Sequence, residues 1–400
     1  MGTVKRNPFL SGACAVLGGL MMTAGAADAD VTSDRPAGLV VIPKVVFDSA
    51  GVLGSLTGNG SPVDTEIQMT NVSDQEAKLR CFYVNANSHC SNDPERVCSV
   101  AADCQGAPGP GGLCFEGWIE TDFEITLTPR QPLIWLVSEG LFSLPLADQG
   151  QVGSIPGANE DPFMGELKCV QVGPDDAPVD RNDIKAEVSI ISYGSQFDAR
   201  AYNAVGIQAV AGANDGDNTL VLGGEDPEYS GCPNVLILNH FFEDAVEPVS
   251  ENYVKTHLTL VPCSQNFLLQ DVALFNTTVQ FLVFNEFEQR FSASRSLRCF
   301  KEFELCSLGT GLDRAINDYD ADSNSCQRSV FSAFVSGTLT GQTRIRGVDD
   351  GSPAHGNGLV GVAEEFYRSG ADDLSTVVAT DAFNIHQAGE RATADFITMP

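Results

Sequence analysis

Apolar residues recur at every second position in one short run after another, and this period limits the fold more than any other feature of the chain. In Thr65-Glu66-Ile67-Gln68-Met69-Thr70 they alternate with polar residues, as they do in Phe123-Glu124-Ile125-Thr126-Leu127-Thr128. The pattern returns at Ala186, Val188 and Ile190, and again at Val254, Leu258 and Leu260. A period of two sends one set of side chains into a core and the other into water, as in a half-buried strand. Between the runs stand turn-forming clusters: Asn71-Val72-Ser73-Asp74, Pro174-Asp175-Asp176, Asn214-Asp215-Gly216-Asp217 and Asp349-Asp350-Gly351-Ser352-Pro353. Helical spacing is confined to one short stretch, Val362 to Arg368. The expected fold is mainly β: two antiparallel β-sandwich-like domains with a disulfide-rich insertion in the first.

The polar, Gly-rich passage 213–231 reads as a linker between a first domain over residues 30–212 and a second over 232–400. A duplication is also suggested. Ile67 to Asn71 precedes Leu79-Arg80-Cys81-Phe82, and Val279 to Asn285 precedes Leu297-Arg298-Cys299-Phe300.

Residues 1–26 read as a signal peptide, with Lys5 and Arg6 ahead of an apolar stretch from Phe9 to Met22. Ala24-Gly25-Ala26 and Ala27-Asp28-Ala29 place cleavage near Ala26 or Ala29. No later run has the length of a membrane-spanning helix; Leu133 to Leu146 is broken by Glu139 and Pro145. The expected location is secreted, periplasmic or at the cell surface, with no membrane span after cleavage. In such an oxidising place cysteines pair by default. Cys90, Cys98, Cys104 and Cys114 fall in the insertion 88–116, which is too poor in core-forming side chains to order itself without cross-links. Two local bridges are expected there, in any of three pairings. Without a C-x-x-C pair, a zinc site is the weaker reading.

Two stretches carry a resemblance. Asp64-Thr65-Glu66-Ile67-Gln68-Met69-Thr70-Asn71-Val72-Ser73-Asp74, followed by Asp122-Phe123-Glu124-Ile125-Thr126-Leu127-Thr128-Pro129, resembles immunoglobulin-like β-sandwich modules of exported bacterial proteins. The segment from Cys90 to Cys114, with Ala102-Asp103-Cys104, is similar to small disulfide inserts in secreted proteins of some Gram-negative bacteria. The resemblance implies a scaffold and an exported address. It implies no active site, because that module class shares none.

Charge removes one class of partner. With 53 acidic against 23 basic residues and a net charge of −30, the chain repels phosphate, so nucleic acid is excluded. Nucleophile-elbow, zinc-protease and phosphate-loop signatures are missing. Gly356-Asn357-Gly358-Leu359-Val360-Gly361 matches a dinucleotide fingerprint, but without a strand–helix context it reads as a flexible hairpin loop. His240 could face Glu243 only across opposite sides of a strand, so it reads as structural; His257 reads as solvated on its strand's polar face. Glu286 and Glu288 share a face at a strand end and offer a carboxylate pair for glycan hydrolysis.

Asp318, Asp320 and Asp322 present carboxylates at alternate positions, as an oxygen-ligand loop for Ca²⁺ would, and the loop from Asn214 to Asn218 is a weaker candidate. Ca²⁺ is the one cofactor the sequence leaves room for, and none is required. A strand from Thr338 to Arg346 would turn Thr338, Thr340, Gln342, Arg344 and Arg346 one way. Cross-strand acids are the ordinary partners for Arg344 and Arg346; the functional reading is contact with an acidic glycan or with the protein's own acidic surface. The expected role is an exported, non-enzymatic structural or adhesive protein meeting protein or glycan at the cell surface. The alternatives are a secreted hydrolase acting on glycans and a module that binds glycans or small ligands.

Overall fold

The computed structural model describes residues 31–53, 61–98, 101–106, 112–115, 119–141, 154–194, 197–242, 253–269, 277–297, 299–305, 308, 339–348, 356–369, 377–388 and 394–400. The expected leader and the acidic loop of Asp318, Asp320 and Asp322 lie outside these residues. The described residues hold strands, turns and 3-10 turns, among them Ala101–Cys104, and no α-helix. No helix among them is long and apolar enough to cross a membrane.

The first half supplies β1 (Val31–Thr32), β2 (Leu39–Phe47), β3 (Val63–Asn71), β4 (Ala77–Asn85), β5 (His89–Cys90), β6 (Asp93–Val97) and β7 (Cys114–Phe115). It continues with β8 (Ile119–Leu127), β9 (Pro132–Leu136), β10 (Phe163–Val172), β11 (Ile184–Tyr193), β12 (Phe197–Asn203) and β13 (Val205–Ile207). Next come β14 (Thr219–Leu222), β15 (Val235–Phe241), β16 (Tyr253–Pro262), β17 (Gln265–Asn266), β18 (Thr277–Asn285) and β19 (Arg290–Leu297). The chain closes with β20 (Lys301–Glu304), β21 (Thr340–Val348), β22 (Leu359–Arg368), β23 (Val377–Asn384), β24 (His386–Ala388) and β25 (Asp395–Thr398).

Six sheets result. The first half builds β1-β13-β2-β10-β4-β8 and β12-β11-β3-β9; the second builds β19-β18-β21-β15-β24 and β20-β16-β22-β23. Two small sheets are β14-β25-β17 and, in the insertion, β6-β5-β7. Read from β15 onward, the second half repeats the first. β15, β16, β18 and β19 stand where β2, β3, β4 and β8 stand, and β20 to β24 stand where β9 to β13 do, with the same neighbours except for β1, which lies beside β13 and has no counterpart among the described residues. The suggested duplication is therefore present in the topology, but displaced by one strand from the sequence match. Val279 to Asn285 lies in β18, the counterpart of β4, whereas Ile67 to Asn71 lies in β3.

Burial explains the strands. Along β3, Ile67 and Met69 are buried while Gln68 is exposed, as the alternation requires. Val362 to Arg368, expected to be helical, is instead most of β22, buried nearly from end to end. A strand covered on both faces loses the polar/apolar alternation, and its sequence then imitates other periods. The two first-half sheets face each other: the Trp135 indole N–H on β9 donates to the Tyr83 hydroxyl on β4 at 2.7 Å.

The two free-standing sandwiches with a linker are corrected by the packing. The first-half core also takes in Val261, Phe267, Val360, Val362 and Ile397 from the second half. The presumed linker contains β14, paired with β25 at the other end of the second half. The large and small sheets are thus five blade-like layers of one body, with the insertion's sheet attached. Disulfides Cys81–Cys169 and Cys232–Cys263 cross-link the body, and Cys90–Cys104 and Cys98–Cys114 cross-link the insertion.

Candidate functional surface

The residues proposed for hydrolysis do not converge. His240 is buried in the second core; its Nε2 lies 2.9 Å from the Thr343 hydroxyl and its Nδ1 3.1 Å from the Phe241 carbonyl. Burial lowers its imidazole to about 4, so it is a neutral core residue. Glu286 and Glu288 sit in the exposed turn between β18 and β19 rather than on a strand, and Glu286 accepts a hydrogen bond from the Leu339 amide at 2.7 Å. In the loop from Asn214 to Asn218, Asn214 and Asp215 accept from the Gly216 and Asp217 amides, so their side chains serve the turn. The insertion's cysteine sulfurs, close enough together to suggest a metal cluster, are spent on its two bridges.

The glycine fingerprint is rigid packing, not a flexible loop. A Cβ on Gly358 would stand 2.3 Å from Asp395 Oδ2 and 2.4 Å from the Cys232 Cβ. The Gly358 amide donates to Asp395 Oδ1 at 3.3 Å, and the Ser264 hydroxyl donates to the same oxygen at 2.8 Å. Burial pushes the Asp395 carboxyl up to about 6 against these two donors.

Between the halves lies a sealed ion network. Lys44 on β2 pairs with Glu302 at 2.8 Å and with Glu364, and Arg200 on β12 pairs with Glu364. All four side chains are within 1% of complete burial, two cations against two carboxylates. Burial alone would raise Glu364, but Lys44 and Arg200 prevail and hold it at about 2. His257, expected to be solvated, is instead enclosed here, 3.6 Å from Glu302 and with its ring tilted 52° against that of Phe366. Beside it, Lys168 pairs with Glu166 at 2.7 Å, and Phe82 stacks on Phe267 with centroids 4.0 Å apart. A network without solvent access or room for a substrate serves to join the halves.

The surface that stands out is the outer face of β19-β18-β21-β15-β24. None of the residues in these five strands is Asp or Glu, in a chain holding 53 of them. Register places Arg290, Phe284, Gln342 and Asn239 in one row across the sheet. The next row is Ser292, Leu282, Arg344, Ile237 and His386, and a third runs Ser294, Gln280, Arg346, Val235 and Ala388. Arg290, Arg344, Arg346 and His386 are exposed. The ordinary expectation for Arg344 and Arg346, cross-strand acids, fails: their neighbours are Ile237, Leu282, Val235 and Gln280. Thr338 lies outside the described residues, but Thr340, Gln342, Arg344 and Arg346 do share this exposed face. Sequence reasoning found two of its cations and missed Arg290 and His386, because only the register brings those strands together.

No family model and no curated protein matches the chain. Among solved structures, Thermotoga maritima 1070 aligns over 42% of this chain and 93% of its own at 9% identity, with a TM-score of 0.22. A Penaeus vannamei nodavirus structure aligns over 80% and 99% at 10% identity, with a TM-score of 0.13. The CupB6 tip adhesin from Pseudomonas aeruginosa aligns over 90% and 99% at 11% identity, with a TM-score of 0.12. Superpositions this loose carry no argument about fold or function.

Proposed function

We propose that this protein is an exported, non-enzymatic structural or adhesive component whose working surface is the acid-free outer face of β19-β18-β21-β15-β24. In this reading each repeated strand set is a sandwich-like module, and the disulfides suit an oxidising exterior. One observation carries the proposal. Arg290, Arg344 and Arg346 stand exposed on a sheet face with no carboxylate on its strands, while the rest of the chain is strongly acidic. Such a face attracts an acidic protein surface and repels a basic one. Leu282, Phe284 and Ile237 between the cations add half-exposed apolar area to bury.

The test uses the whole chain and its Arg344→Ala/Arg346→Ala variant as immobilised baits for proteins extracted from the native exterior at low salt. The expected result is capture of acidic protein that falls at least tenfold for the variant and is released by 0.5 M salt. Equal capture by both baits would overturn the reading.

A further inference from the structure

The repeat in the fold says what the acid-free face meets. In the first half, the equivalent outer face, on β2, β10 and β4, is covered. It presents Lys44, Lys168, Arg80 and Phe82, and the second half seats on it with Glu302, Glu364, Gln265 and Phe267. Arg80 also donates to the Pro400 carbonyl at 2.6 Å. The seat is made by the outer face of β20-β16-β22-β23: Glu364 lies on β22 and Glu302 on β20. Both faces are mixed in charge, Lys168 pairing with Glu166 and Arg80 lying 4.0 Å from Asp122 on their own side, and the ion pairs this face sends across the junction are those of Lys44 with Glu302 and Glu364.

Among the described residues, each chain keeps one uncovered copy of both faces. The cationic face is that of β15, β21 and β18, where Arg344 and Arg346 occupy β21, the counterpart of Lys168's strand. The other face is the outer side of β12-β11-β3-β9, which carries Glu66 and Glu187 together with half-exposed Lys185 opposite Thr70. There Glu187 lies on β11, the counterpart of Glu364's strand, and Glu66 on β3, the counterpart of His257's. Register sets Glu187 opposite Gln68 and Glu66 opposite Ser189, with exposed Ile134 on β9 and exposed Tyr193 on β11 flanking them.

We infer that a second copy of this chain docks its Glu66/Glu187 face onto the Arg344/Arg346 face, repeating between molecules the junction that joins the halves within one. The two faces differ and lie at opposite ends of the repeat, so the contact is heterologous and propagates head to tail instead of closing a pair. A five-stranded face spans about 24 Å across its strands and about 20 Å along them, a modest footprint that places association at high protein concentration. This inference rests on the reading of the cationic face given above, and the experiment separates the two.

Sedimentation equilibrium is run at low ionic strength on four samples: wild type, Arg344→Glu/Arg346→Glu, Glu66→Lys/Glu187→Lys, and an equimolar mixture of the two variants. All substituted side chains are exposed or half-exposed, and unchanged melting curves verify folding. The wild type is expected to gain mass continuously with concentration and to lose that gain in 0.5 M salt. Each variant alone is expected to stay monomeric. Because the intact faces match each other and the two reversed faces match each other in turn, the mixture should regain assembly that grows with concentration. Assembly of the Glu66→Lys/Glu187→Lys variant at wild-type strength, or a monomeric wild type at millimolar concentration, overturns the inference. If the Arg344→Ala/Arg346→Ala bait still loses its acidic partner in that case, the reading of the cationic face stands and only the second copy is excluded.

Discussion

Lys44 and Glu364, 320 residues apart in sequence, form a fully buried ion pair where the two halves of the fold meet. The pair turns a duplicated strand pattern into one body. Glu364 takes a second cation, Arg200, while Lys44 takes a second carboxylate, Glu302, so neither charge is left over. Charges removed from water this completely are tolerable only when each is paired.

Removing one member should therefore cost more than removing the set. Glu364→Ala leaves Lys44 and Arg200 buried with a single carboxylate, and is expected to lower stability by about 3–5 kcal/mol. Replacing Lys44, Arg200, Glu302 and Glu364 together with apolar residues of similar volume should cost less than that. Urea denaturation monitored by fluorescence distinguishes the two; a quadruple variant less stable than the single one would contradict this account.

Asp395 makes a pH-dependent contribution of defined sign. Its folded carboxyl titrates at about 6 and its unfolded one near 3.8, so the folded state holds the proton longer. The stability this group contributes is complete below about pH 4 and is lost as pH rises through 6, by about 3 kcal/mol. Asp395→Asn removes the titration. Relative to wild type, that variant should gain about this amount between pH 4 and pH 7, measured as a difference in unfolding free energy. A constant difference across the range would refute the shift.

Gly358→Ala should be among the most damaging single-methyl additions in the chain. The new Cβ has nowhere to go between the Asp395 carboxylate and the Cys232–Cys263 bridge. A loss of about 1–3 kcal/mol follows for overpacking, read as a fall in melting temperature. Gly216→Ala is the contrast: its Cβ meets nothing within 4 Å, so any cost there comes from its φ of 86° alone.

The insertion should come apart independently of the body. Its buried cluster consists of Cys90, Cys98 and Cys104, packed against Cys114 and separate from the main core. Cys90→Ser/Cys104→Ser is expected to expose residues 88–116 to limited proteolysis, while the principal unfolding transition stays in place. His89 and Asn87, held by Glu160 at 2.7 and 2.9 Å, mark where the insertion remains attached. Cooperative loss of the whole fold in this variant would show the insertion to be part of the body.

The sequence by itself determined the local conformation. Alternation along β3, β8 and β11 marked strands, because one face of each is dry and the other wet. Local spacing also marked the insertion as cross-linked, since its cysteines are near neighbours in the chain. Where both faces of a strand are covered, as in β22, the period vanished and the residues passed for a helix. Tertiary structure alone decided the rest. It set the repeat one strand away from the sequence match, turned a presumed linker into β14, enclosed His257, and gave Glu364 partners 320 and 164 residues distant. It also gathered five acid-free strands, scattered from Val235 to Ala388, onto one face. Period two reports only whether a side chain meets water or protein; which strand lies alongside is fixed by long-range register, and that leaves no local mark.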